Sequence, residues 1–465
     1  MDANTILRIK PELTRYLHEF DDCFGRITAR RHLDTYVQGQ LSDLQRKSIE
    51  PMADAAGVPP RTLQQLLGLY RWDESAMRAR LQQRVARRHG HPRSVGLLDE
   101  TSFLKKGDKT ACVQRQHCGA VGKVDNCVVS VHLGYTTGDF HCLLDGELYL
   151  PEATWGEDRK RCRRAGIPDQ VLYRPKWQIG LEQIRRARAN GIRLAWMTFD
   201  EGYGGKPPFL RAFDAMGQNY VGEVPASFTA WTQPPAVLYR QHRRNRMGRP
   251  RKLPRLKVKN NPPVAVGNIA SYSPLFRRED WRTYHVKDGT KGPMLWRAKR
   301  IRLWLQDENG LPTAPHHLLV ARSVSEPHQV KYFISNASQE TPVETLLLVA
   351  FSRWKIERMF EDGKDELGMD HFEVRKFGSI QRHLILSCVS YLFLAEFHQE
   401  HRGGKSRPDG DPGSHRHRRV GGTLASWGPM FACVGRVDQP PVAYHPTTQR
   451  PGRPQPPQAQ ATSVA

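Results

Sequence analysis

The chain of 465 residues has eight cysteines but no Cys-x2-Cys pair, so neither a zinc ribbon nor a dithiol redox motif is written into it. Several of Cys23, Cys112, Cys118, Cys127, Cys142, Cys162, Cys388 and Cys433 lie in strand-like apolar context, and all read as reduced core thiols of a cytoplasmic protein. His117, next to Cys118, and His132 leave zinc ligation open, at a spacing that fits no common finger. Long apolar runs are missing too. The longest, "LILSCVSYLFLAEF", falls short of the roughly 20 residues that span a bilayer and reads as a buried core helix; no basic segment followed by an apolar one opens the chain. No Gly-x4-Gly-Lys-Ser/Thr pattern occurs, and "GYGG" lacks the lysine of a phosphate-binding loop. Acidic residues are few relative to basic ones. Against 47 Asp plus Glu stand 71 Lys plus Arg, a net charge of +24, the balance expected of a protein that lies along a polyanion. With 38% hydrophobic residues, a chain this long can bury a substantial core in two or three domains.

Periodicity divides the sequence. Residues 1 to about 90 carry helical patterning without strand signals. Within them, "SIEPMADAAGVPPRTLQQLLGLYRWD" has two short helical patterns joined by Gly57-Val58-Pro59-Pro60, compatible either with a helix-turn-helix that presents Arg61, Gln64 and Gln65 to a DNA groove or with a plain bundle packed on the rest of the chain. From 91 to 225, strand patterns, a helix from about Gln178 to Asn190 and the apolar strand "RLAWMTFD" imply a mixed α/β sheet. Residues 226 to 340 open with Pro-rich and Arg-rich sequence and then return to strands. Their densest cationic run contains Arg249, Arg251 and Lys252, expected to track DNA phosphates or a narrow minor groove, with a solvated, disordered loop as the alternative. Residues 341 to 400 return to helix. From 401 to 465, Pro, Gly and Gln dominate, and disorder is expected.

The most informative segment is "SRWKIERMFEDGKDELGMD". Its Arg353, Glu357 and Lys364 fall within one narrow helical face, beside an apolar stripe of Val349, Ile356, Met359, Phe360 and Leu367. The trio is expected at the rim of a buried helix, looking out at a ligand; a phosphate next to a metal suits it. This Arg-x3-Glu-x6-Lys spacing resembles the signature helix of DDE-superfamily bacterial insertion-sequence transposases, in particular the seven-hundred-one group. "SVGLLDETSF" resembles the family's first strand and "IRLAWMTFDEGYGG" its second acidic segment, and the likeness covers most of residues 10 to 400. One departure is Ala350, where such relatives have Tyr three residues before the arginine.

The resemblance implies an RNase H-like core interrupted by a β-rich insertion between 226 and 340, with a helical N-terminal DNA-binding domain. It makes Asp99, Asp200 and Glu357 the catalytic metal ligands, and Arg353 and Lys364 the phosphate contacts. Glu100 and Glu201 are adjacent alternatives to the two aspartates, and strand alternation sends such neighbours to opposite faces. Carboxylates about 4 Å apart repel by roughly 1–4 kcal/mol per pair, so a cluster of three implies a cation. The family's cofactor is a pair of Mg²⁺ ions, with Mn²⁺ able to substitute. The implied partners are DNA, as terminal inverted repeats and as target, and a second copy of the chain at the synapsed ends. No membrane is involved. The implied activity is cleavage of an element's ends and their joining to target DNA; a catalytically silent DNA-binding relative is the alternative.

Overall fold

The computed structural model describes residues 3–239, 253–289 and 292–401. Five helices precede the first strand: α1 (Ala3–His18), α2 (Ile27–Leu41), α3 (Ile49–Ala55), α4 (Pro60–Gly68) and α5 (Glu74–His89). Local chemistry sets their ends. Pro60 occupies the first turn of α4, where its missing N–H costs no hydrogen bond. Asp73 caps α5 by accepting from the Ala76 N–H at 2.9 Å, and Arg87, Arg88 and His89 sit at the negative end of its dipole. Between α3 and α4 the chain turns at Gly57 with φ of +64°, a conformation that favours glycine.

Strands β1 (Val95–Leu104), β2 (Gln114–Cys118), β3 (Lys123–Thr137) and β4 (Phe140–Leu148) follow, then α6 (Arg159–Arg164) and α7 (Lys176–Ala189). Next come β5 (Trp196–Phe199), α8 (Glu201–Gly204), α9 (Pro207–Ala215) and β6 (Tyr220–Val224). Four two-residue strands, β7 (Thr229–Ala230), β8 (Val237–Leu238), β9 (Arg255–Leu256) and β10 (Val264–Ala265), pair among themselves and lead to α10 (Val266–Tyr272) and α11 (Pro274–Arg278). The long strands β11 (Arg282–Gly289), β12 (Gly292–Gln306), β13 (Pro312–Ser323) and β14 (Val330–Ser335) precede α12 (Val343–Phe351), α13 (Trp354–Asp365) and α14 (Phe377–His401).

One ten-stranded mixed sheet organises these elements, in the order β11-β12-β13-β14-β6-β5-β1-β3-β2, with β4 also paired to β3. β1, β5 and β6 run parallel and the other pairings are antiparallel. The β-rich stretch expected between 226 and 340 therefore continues the sheet: β14 pairs with β6 through Ile334↔Gly222, and β13, β12 and β11 add on beyond it. β1 is buried over nearly its whole length, the pattern of a strand covered on both faces. Helix α7 covers one face, where Gln183 Nε2 donates to the Val131 carbonyl at 2.8 Å. On the other, α13 buries Ile356, Met359 and Phe360, with Phe360 edge-on to His132 at 5.3 Å.

The expected core helix is α14, whose buried residues run from Phe377 to Phe397. The N-terminal helices wrap around it. Tyr16 Oη donates to the Val389 carbonyl at 2.8 Å, Gln40 Nε2 to Ser387 Oγ at 2.9 Å and Ser390 Oγ to Gln40 Oε1 at 2.8 Å. Arg84 pairs with Glu396 at 2.6 Å. Residues from Ile9 to Phe397 accordingly share one hydrophobic core. The described cysteines are all buried free thiols, and among the described residues no helix is long and apolar enough to cross a membrane.

Candidate active site

Register brings the acids together. Leu98 and Phe199 form the last pair between parallel β1 and β5, so the next residues, Asp99 and Asp200, stand side by side at the carboxyl end of β5. Phe199 in turn pairs with Gly222 of β6, which puts Glu223 in the same row. Laterally paired residues project to one face of a sheet, so the row points toward α13. Asp200 is fixed by a second device: it caps α8, its Oδ1 accepting from the Tyr203 N–H at 3.2 Å. The neighbouring acids are held differently. Glu100 accepts from Tyr203 Oη at 2.9 Å and pairs with Lys176 at 2.5 Å, while Glu201 is exposed.

Glu357 comes from α13. The helix does not run unbroken through the signature segment: α12 ends at Phe351, the chain turns at Ser352 and Arg353, and α13 starts at Trp354. Arg353 is turned onto the acids rather than out at a ligand. Its Nη1 donates to Asp99 Oδ2 at 2.8 Å and its Nη2 meets Glu357 Oε1 at 2.7 Å. One guanidinium thus spans two carboxylates at the place where a cation is expected. Lys364 is half-buried with its ammonium 5.8 Å from the centre of the Phe103 ring, and burial lowers its pKa. Arg61 is exposed at the start of α4, as is Gln64, while Gln65 accepts from Tyr70 Oη at 3.0 Å. Arg249, Arg251 and Lys252 lie outside the described residues.

Beside the acids β1 continues to Leu104, past its last pair with β5, and with β2, β3 and α13 it lines a cleft of about 760 Å³, to which Glu357 contributes and Asp99 and Asp200 do not. Glu100, Ser102, His117, Trp354, Glu357 and Lys364 are among the residues that line it.

Electrostatics mark the same place. Burial, with Asp200 alongside, pushes the Asp99 carboxyl up to about 7 despite the pull of Arg353. Burial raises Asp200 as well. Hard oxygen donors held together, partly desolvated and bridged by a cationic side chain fit a divalent ion. In the described residues the three oxygens do not all close to 4.8 Å; the trio that does is Glu12, Glu400 and His401, far from this row in the sequence.

A stability effect follows. A carboxyl whose folded-state pKa lies above its unfolded value of about 3.9 gains protons on folding, so its contribution is complete below that pH and is lost as pH rises through about 7. In chelator, the melting temperature of the wild type should therefore fall between about pH 4 and 7 more steeply than that of Asp99→Asn. Parallel curves for the two proteins would show that Asp99 titrates normally.

Glu223 was not singled out from sequence. It is a lone acid in a five-residue apolar strand, and only the register reveals its place beside Asp200. Its charge also acts on Arg353, and Lys331 Nζ holds it at 2.6 Å.

A partly buried carboxylate row at parallel strand ends, answered by a helix-borne acid and an arginine, is a nuclease-like constellation, and the chain belongs to the DDE superfamily endonucleases: that family's model matches residues 19–293, which include Asp99 and Asp200 and stop short of Glu357. Over 209 residues the chain is 30% identical to a probable transposase for insertion sequence element IS701 from Microchaete diplosiphon. That match takes in 44% of this chain and 50% of the relative, so the chain spans about half the length of the curated protein it matches.

Proposed function

We propose that this chain is a DNA transposase that cleaves the ends of an insertion sequence and joins them to target DNA. What supports this reading is that one guanidinium spans Asp99 and Glu357, from distant segments, with Asp200 in register beside Asp99. The fold supports an RNase H-like core, with antiparallel β1, β3 and β4 beside parallel β5 and β6 and the acids at the strand ends. We take α1 to α5 as an N-terminal DNA-binding region, with α4 presenting Arg61 and Gln64, and β11 to β14 as the insertion between the second and third acids. A cytoplasmic protein acting on the nucleoid suits this role.

Asp99, Asp200 and Glu357 would hold two Mg²⁺ ions, or Mn²⁺ in their place, which when bound supply activation of the attacking oxygen and stabilisation of the leaving one. The side chains do the rest. Arg353, released from the carboxylates it bridges, and Lys364, at the edge of the same cleft, neutralise phosphates and fix the strand in line, a positioning role without proton transfer. Cleavage exchanges a phosphorus–oxygen ester bond for one to water oxygen and frees a 3′-OH. Joining exchanges a target phosphodiester for a bond to that 3′-OH. Neither exchange calls for a covalent enzyme intermediate. The nearby phenol, Tyr203, is buried, donates to Glu100 and has its pKa raised well above 10, so it is a poor nucleophile.

The test is plasmid excision and joining, with the element's ends flanking a marker in Mg²⁺. Wild type should excise and join while Glu357→Gln does neither. Excision without joining would indicate a hydrolytic nuclease. Binding of the ends without excision would favour the catalytically silent relative.

A further inference from the structure

Three segments distant in sequence meet at the far end of β1, and each brings exposed cations. The first is the loop after β1, with Lys106 and Lys109; the second is α6, with Lys160 and Arg164; the third is the stretch before α14, with Arg375 and Lys376. They are tied edge to edge. The Ala111 N–H donates to the Arg375 carbonyl at 2.9 Å, and the Phe377 N–H donates to the Ala165 carbonyl at 3.0 Å. Arg161 Nη2 donates to the Asp108 carbonyl at 3.3 Å, and Trp155 Nε1 to the Val113 carbonyl at 2.9 Å. Cys112, buried in the first loop, is held at φ of +64°, a backbone state its neighbours must impose.

The arginines and lysines here fall into two groups. Arg159 and Arg161 spend their donors on backbone carbonyls at 3.0 Å, and Arg161 also stacks over Trp155 at 4.0 Å; they build the fold. Lys160, Arg163 and Arg164 are spaced i, i+3, i+4, so they share one helix face opposite buried Cys162 and Ala165, and all three are exposed. Asp108, Glu152 and Glu157 are exposed among these cations, and the other local acids have partners. Asp158 caps α6 by accepting from the Arg161 N–H at 2.8 Å, Asp169 pairs with Arg163 at 3.3 Å and with Arg159 at 3.4 Å, and Glu373 pairs with Arg46 at 2.5 Å.

Position completes the case. Arg353 lies at Asp99 and Lys364 lies over Phe103, both along β1, and the strand runs straight from Phe103 and Leu104 into the first cationic loop. From Asp99 to Lys105 an extended chain covers ~20 Å, the rise of about six base pairs. We infer that this three-segment basic surface is a track for duplex DNA flanking the phosphate held at Asp99, Asp200 and Glu357. The inference rests on the transposase reading and adds to it a second contact region, separate from Arg61 and from the 249–252 run.

The test is the salt dependence of binding, in chelator, to a mixed-sequence duplex of roughly 30 base pairs, where each lost phosphate contact flattens the logarithmic slope by about 0.9. The variant Lys109→Ala/Arg164→Ala/Arg375→Ala takes one exposed cation from each segment and should flatten the slope by roughly 2 to 3 units. A lysine version of the two arginine positions, Arg164→Lys/Arg375→Lys, should keep the wild-type slope. Arg185→Ala/Arg193→Ala, exposed cations elsewhere, should keep it too. An unchanged slope in the triple variant, with wild type binding the duplex and melting temperatures equal, would overturn this inference alone. Failure of the wild type to bind duplex DNA at all would overturn the transposase reading and this inference with it.

Discussion

Asp99→Asn, Asp200→Asn and Glu357→Gln are each expected to abolish DNA cleavage, by on the order of 10³-fold or more, since the stabilisation lost with a metal-binding carboxylate is worth several kcal/mol. Each change is nearly isosteric, so the fold should persist. Asp99 and Asp200 sit in strand register and at a helix cap that amides can still occupy, and Glu357 is more than half exposed. DNA binding should survive in all three. For Asp99→Asn and Glu357→Gln it should become somewhat stronger in chelator, because Arg353 loses one of its two anionic partners and is more available to a phosphate. Cleavage of a supercoiled substrate in Mg²⁺, read beside anisotropy in chelator, measures both. Retained cutting by any one variant would remove that residue from the site.

Gly204→Ala should cost stability and activity together. A Cβ at this position would lie 1.9 Å from the Glu223 carbonyl oxygen and 2.9 Å from its carbon, both backbone atoms that no rotamer change can move. The short helix α8 must then lift away from β6, carrying with it the cap made by Asp200 and disturbing Glu223. Overpacking of this kind costs roughly 1–3 kcal/mol or more. Gly378→Ala is the matched control. Nothing lies within 4 Å of its added methyl, and in a helix alanine is better than glycine by about 1 kcal/mol, so melting should hold or rise. Equal melting temperatures for Gly204→Ala and wild type would show that α8 and β6 are less tightly seated than described.

Much of the site was legible in the sequence because its cues are local. Asp99 and Asp200 each follow an apolar strand pattern, Glu357 lies on an amphipathic segment at a distinctive spacing, and "LILSCVSYLFLAEF" announced a buried helix. What escaped depends on pairings between distant segments. Alternation shows that β11 to β14 are strands but not that they extend the sheet beyond β6, since a strand's partner is not encoded in its own period. The pairing of Arg353 with Asp99 joins residues 254 positions apart and so has no local cue. Glu223 gave no signal apart from being charged. The exposure of Arg61 and Gln64 on α4 suits entry into a DNA groove, and the packing of α4 through Leu63, Leu66 and Leu67 suits the plain bundle as well.

Within the described residues, the helices that come first in the chain close around the helix that comes last. Arg84 and Glu396 are 312 residues apart, so at ~5–20 residues per second the apolar faces of the N-terminal helices wait roughly 15 to 60 s for α14 to emerge. During that interval they are substrates for chaperones and proteases, and a message cut short before α14 leaves them with no core to join. Folded protein therefore accumulates only after α14 has been translated, which ties its dose to the completeness of the message up to that helix.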